Sequence, residues 1–60
     1  MSALTYREMQ IAEMVAAGLT AEQIAARLGL RPQTIKNAKV IIYDKLGVKN
    51  APEMVKALGQ

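Results

Sequence analysis

The 60-residue chain contains no cysteine, histidine, phenylalanine or tryptophan. Without cysteine it can form neither a disulfide nor a thiol nucleophile, and without cysteine and histidine the usual zinc ligand sets cannot be built. Histidine is also the commonest acid–base catalyst, and no cluster of carboxylates replaces it. The composition therefore argues against an enzyme, and we expect neither a metal ion nor a cofactor.

Long apolar runs and targeting segments are missing as well. No stretch approaches the roughly 18 residues of a membrane span, and the first residues lack the charged and apolar regions of a signal peptide. The expected location is the cytoplasm. A chain of this size buries only about 60% of its unfolded surface. We therefore expect residues 1–60 to form one domain that depends on regular helix packing or on a partner subunit.

The residues that are present favour helices over strands. Ten alanines and four methionines, with only 3% aromatic residues, suit closely packed helices and an all-α fold. Helical spacing of apolar residues predicts four helices. They run from about Tyr6 to Ala17, from the N-cap Thr20 to about Leu28, from about Pro32 to Leu46, and over a short segment after Asn50.

Local capping signals mark where these helices begin. Thr5, Thr20 and Asn50 are of the types preferred at the N-cap. Glu8 and Glu53 each lie three residues after one of these caps, the spacing of a capping box. A glycine follows each of the first three segments, where a left-handed residue commonly ends a helix.

The third predicted helix has an apolar stripe and a polar face. At about 100° per residue, Ile35, Ile42 and Leu46 fall on one side. The opposite side carries Gln33, Lys36, Asn37, Val40 and Asp44. A core-facing stripe would therefore hold the polar face towards solvent.

Charge is distributed unevenly along the chain. Residues 1–30 carry two basic and three acidic side chains, whereas residues 31–60 carry six basic and two acidic ones. Such asymmetry indicates a nucleic-acid surface in the second half. A solvated lysine face is the alternative.

Two helices joined by a short turn around Gly29, the second longer and basic, match a helix-turn-helix arrangement. The major groove of double-stranded DNA, about 12 Å wide, admits one such helix. Lys36 can donate to guanine, Asn37 can pair with adenine, and Val40 can contact a thymine methyl group. With Gln33, these are the predicted base-reading residues, in a protein associated with the nucleoid.

The sequence resembles the LuxR/GerE-type helix-turn-helix domain of bacterial transcription regulators. The matching residues span nearly the whole chain at the family's spacing, without an insertion: Leu4–Thr5, Arg7–Glu8, Val15–Ala16, Gly18–Leu19–Thr20, Ile24–Ala25, Leu28, Leu30, Thr34–Ile35–Lys36, Ile42 and Lys45–Leu46–Gly47–Val48. The resemblance implies four helices, with the second and third forming the DNA-reading pair. It also implies base-reading roles for Lys36, Asn37 and Val40.

Further roles follow from the resemblance and from the charges. Thr34 and Lys45 match backbone-contacting positions of the family, and the expected phosphate contacts are Arg31, Thr34, Lys39, Lys45 and Lys49. The fourth helix is implied as a dimer contact through Met54, Val55 and Leu58. Arg31 departs from the serine that usually caps the third helix, because its side chain cannot accept a backbone hydrogen bond.

Three functions fit these observations. The first is a transcription regulator, bacterial or phage, that binds specific double-stranded DNA as a homodimer. The second is a protein-interaction module that binds RNA polymerase or a larger LuxR-type regulator through an apolar patch of Val40, Ile41 and Tyr43. The third is a domain similar to the promoter-reading region of sigma factors, which shares the Leu-Thr-x-Arg-Glu opening.

Overall fold

A computed structural model describes residues 3–59 and contains the four helices that the sequence predicts. These are α1 (Tyr6–Ala16), α2 (Ala21–Leu28), α3 (Pro32–Leu46) and α4 (Ala51–Ala57). No strand occurs within the described range, and the all-α class is confirmed. The first helix ends one residue earlier than expected, with Ala17 as its C-cap.

Side-chain caps begin α1 and α2. The Thr5 hydroxyl accepts the Glu8 N–H at 3.1 Å, while Glu8 Oε1 accepts the Thr5 N–H at 2.8 Å. Thr20 and Gln23 form the same reciprocal pair at 3.1 and 2.9 Å. The first capping box is as predicted. The second was not foreseen, although the Thr-x-x-Gln spacing is its sequence signature.

The other two helices begin differently. Asn50 Oδ1 accepts the Glu53 N–H at 2.9 Å, but Glu53 Oε1 accepts from the Lys49 N–H at 3.0 Å, one residue before the cap. The predicted capping box at α4 is therefore only half formed. Arg31 makes no side-chain cap at α3, and Pro32 occupies its first turn. Proline there costs no helical hydrogen bond.

The buried core is entirely apolar within the described residues. All four helices contribute to it: Ile11, Ala12, Val15, Ala21, Ile24, Ala25, Ile35, Ile42 and Met54. Three of the nine are alanines, which let helix axes approach closely. Helix α3 packs against α2 and α1 through one side, and α4 packs mainly against α1. The opposite side of α3 is left uncovered.

Candidate nucleic-acid interface

Three residues, 29–31, connect α2 to α3. Gly29 has φ +69° and ψ +33°, a left-handed conformation that glycine adopts without steric cost. The Leu30 N–H then donates to the Ala25 carbonyl at 2.9 Å, which closes the end of α2. Arg31 is extended and leads directly into α3. This tight turn fixes the direction of α3 relative to α2.

Burial fixes which face of α3 points outward. Ile35 and Ile42 are 0% and 1% exposed, and Leu46 is half-buried against the same core. The side chains on the opposite face are all exposed: Gln33, Lys36, Asn37, Val40 and Asp44. The structure thus brings the four predicted base-reading residues together on one surface. Their contact with bases stays a prediction.

A hydrogen bond joins two of these exposed residues. Gln33 Nε2 donates to Asn37 Oδ1 at 3.0 Å, one helical turn apart. This pairing is not among the sequence-based predictions. The i, i+4 spacing is the signal that could have found the pair, because such amides are neighbours on a helix surface.

The predicted phosphate contacts are not equally accessible. Arg31, Thr34 and Lys49 are exposed, whereas Lys39 is half-buried at the rim of the core stripe. Such a lysine keeps its stem on apolar surface and its ammonium in water. Lys45 Nζ lies 2.8 Å from Glu8 Oε1. This ion pair competes with the phosphate contact expected of Lys45.

The ion pair changes the titration of Glu8. The hydrogen bond from Lys45 holds the Glu8 pKa below its ordinary value of 4.5, and the Thr5 backbone N–H acts in the same direction. The side chains of Lys45 and Glu8 are 25% and 17% exposed. Their 37-residue separation gives no local signal, so the sequence alone did not reveal the pair.

One of the three side chains expected to form a dimer surface on α4 is buried. Met54 is 0% exposed and belongs to the core, so it is not available to a second subunit. Leu58 is half-buried and packs against that core. Val55 is half-buried as well. Of the three predicted contacts, only Val55 and Leu58 are therefore partly accessible.

The expected protein patch is also smaller than predicted. Val40 and Ile41 are 68% and 49% exposed. Tyr43 is half-buried against the core, and it lies about 160° around the helix from Ile41. The three side chains therefore do not form one surface, and only Val40 and Ile41 remain adjacent and exposed.

Within residues 3–59, no His, Cys, Asp or Glu side chains are grouped as a metal ion would require. None of the helices over that range has the length and apolar character needed to cross a membrane.

The short turn, the buried stripe of α3 and its exposed polar face together define a helix-turn-helix DNA-binding domain. Comparison with known families agrees. Residues 2–58 match the GerE family, described as bacterial regulatory proteins of the luxR family. The chain belongs to this family. Residues 2–58 are thus a LuxR-type helix-turn-helix DNA-binding domain.

Individual relatives support this assignment. The chain is 42% identical over 55 residues to the transcriptional regulatory protein UhpA of Escherichia coli K12, covering 92% of this chain and 28% of UhpA. It is 38% identical over 52 residues to the transcriptional regulatory protein DesR of Bacillus subtilis 168, covering 87% of this chain and 26% of DesR.

A solved structure has the same fold. The crystal structure of the response regulator ChrA, from a heme-sensing two-component system, superposes with a TM-score of 0.87 at 38% identity. The match covers 95% of this chain and 28% of ChrA. The chain therefore spans little more than a quarter of the length of these relatives.

Proposed function

We propose that residues 1–60 form one module that binds specific double-stranded DNA, inserts α3 into the major groove and acts as a homodimer at the bacterial nucleoid. One observation carries the proposal. The buried Ile35 and Ile42 anchor α3 while Gln33, Lys36 and Asn37 stay exposed near its N-terminal end. That end of a recognition helix is where base edges are usually contacted.

Charge supports the same assignment. Arg31, Lys36 and Lys49 are exposed cations on or beside α3, and Thr34 adds a hydroxyl donor. Contacts from such groups to phosphates position a protein on DNA without selecting sequence. Lys36 and its neighbours on the same face then contact the base edges. Lys36 can donate to guanine O6 and N7.

Dimerisation is proposed on energetic grounds. A single module of this size buries only about 600–1,000 Å² on DNA, which limits its affinity. Two copies on adjacent half-sites overcome that limit. Val55 on α4 supports an interface there, because it is an apolar side chain that is only half-buried.

The test is a binding titration with a DNA site selected from a random library. Lys36→Ala is expected to weaken binding to that site by about 1–3 kcal/mol. Arg7→Ala, which removes an exposed cation from α1, serves as the control and should bind like the wild type. Unchanged affinity in Lys36→Ala would show that α3 is not the reading helix.

A second function is favoured by the adjacent exposed side chains Val40 and Ile41. These two residues would bind RNA polymerase or a larger LuxR-type regulator. Ile41→Gln then abolishes binding to purified polymerase or regulator while the selected DNA site is still bound. A wild-type chain that binds neither protein rules this function out.

A further inference from the structure

The hydrogen bond between Gln33 and Asn37 limits what Asn37 can recognise. Asn37 Oδ1 is turned towards Gln33 Nε2, at 3.0 Å, along the exposed face of α3. An asparagine amide has one oxygen acceptor and two N–H donors. Gln33 occupies one of the two lone pairs of that oxygen, whereas both donors of Asn37 are uncommitted.

This arrangement does not suit the usual partner of asparagine. Two-point recognition of adenine requires the amide to accept from N6 and donate to N7 at the same time. While the oxygen accepts from Gln33, only its second lone pair is free for adenine N6. Guanine instead presents two acceptors, O6 and N7, in the major groove. A side chain with two free donors and a partly occupied acceptor matches guanine better than adenine.

The surroundings favour the same base. Lys36 is exposed beside Asn37 and offers three donors and no acceptor. On Gln33, one N–H is used in the bond to Asn37. The N-terminal half of the exposed face therefore presents more donors than acceptors.

We propose that Gln33 and Asn37 act as one reading unit, in which Gln33 orients the Asn37 amide so that it selects guanine over adenine. The inference rests on the proposed function, because it requires α3 to lie in the major groove. Gln33 is a positioning residue here, and Asn37 makes the base contact. The sequence-based expectation that Asn37 pairs with adenine is replaced by this proposal.

The experiment is a selection of binding sites from a random DNA library with the wild type and four variants. Asn37→Ala identifies the base position that Asn37 contacts, since preference is lost there. Gln33→Met keeps the length of the side chain and removes its hydrogen bond. At the base position that Asn37→Ala identifies, we expect Gln33→Met to lower the preference for guanine over adenine by about tenfold. The matched control is Gln10→Met on α1, which should select the wild-type site.

The fourth variant is Gln33→Met combined with Asn37→Ala. If the two residues form one unit, the double variant binds the wild-type site as weakly as Asn37→Ala alone, because coupled residues are not additive. Melting curves by circular dichroism check that each variant is folded. A merely structural role for Gln33 would change the melting temperature and leave base preference unaltered.

Three outcomes overturn the inference. They are a wild type that selects adenine at the Asn37 position, a Gln33→Met variant with unchanged preference there, and additive effects in the double variant. Each of these still leaves a protein that binds specific DNA. A wild type that enriches no sequence at all contradicts the proposed function as well, so the two failures are distinguishable.

Discussion

Lys45 Nζ and Thr5 N–H both donate to a single atom, Glu8 Oε1, each at 2.8 Å. That oxygen joins the N-terminal cap of α1 to the last turn of α3. Because α3 carries the candidate interface, the pair ties the far end of the reading helix to the first helix of the chain. We expect it to contribute to stability and to the orientation of α3.

Glu8→Gln keeps an oxygen acceptor for the cap and removes the charge that pairs with Lys45. The Glu8 pKa is lowered in the folded protein. The ionised Glu8 carboxylate therefore stabilises the fold fully at pH values above its ordinary pKa of 4.5. This stabilisation is lost as the pH falls through the lower pKa of the folded state. At pH 7 the variant should melt at a lower temperature than the wild type, and the difference should shrink below pH 4.5.

Melting curves between pH 7 and pH 3 measure this difference. Glu13→Gln removes an exposed carboxylate from the same helix and is the control. If the difference in melting temperature between the wild type and Glu8→Gln persisted unchanged to the lowest pH, it would contradict a role for the ionised carboxylate.

Lys45 and Lys49 differ in what their ammonium groups already contact. Lys45 donates to Glu8, whereas Lys49 is exposed. Each phosphate neutralised by a protein cation contributes about 0.9 to the slope of log affinity against log salt. We expect Lys49→Met to lower that slope by about 0.9 and Lys45→Met to leave it unchanged. Equal losses would mean that Lys45 leaves Glu8 to bind DNA.

Arg31 begins α3 without a side-chain cap. Arg31→Ser supplies a hydroxyl that can accept an N–H of the first turn, which typically stabilises a protein by about 1 kcal/mol relative to a residue that cannot cap. The same change removes an exposed cation next to the reading helix. Urea unfolding should give higher stability and DNA titration lower affinity. Lower stability would contradict the view that the backbone N–H groups in the first turn of α3 lack a side-chain acceptor.

Ile35 and Ile41 lie on the same helix and differ in burial, at 0% and 49% exposed. Ile35→Val removes one methylene from the core and should cost about 0.5–1.5 kcal/mol. Ile41→Val makes the same chemical change at the surface and should stay within about 0.5 kcal/mol of the wild type. Chemical denaturation measures both. Equal costs would mean that the buried face of α3 is wrongly assigned.

Much of the fold was predictable because its signals are local. Thr5, Thr20 and Asn50 are capping residues, and Pro32 fits only the first turn of a helix. The stripe that contains Ile35 and Ile42 follows from helical periodicity. These features need no knowledge of the neighbouring helix, so the element bounds and the outward face of α3 could be deduced from the sequence.

The remaining features depend on how the helices meet. The pairing of Glu8 with Lys45 requires α1 to cross the end of α3, which periodicity does not specify. The burial of Met54 depends on α4 packing against α1, and an amphipathic stripe does not say which neighbour covers it. For this reason Met54 was predicted at a dimer surface and is found in the core.

The central claim is that the exposed face of α3 lies in the major groove. Methylation interference tests it directly, since dimethyl sulfate modifies guanine N7 in the major groove and adenine N3 in the minor groove. On a selected duplex, we predict that methylation of guanine N7 blocks binding and that methylation of adenine N3 does not. Interference at adenine N3 alone would place the protein in the minor groove and contradict the account.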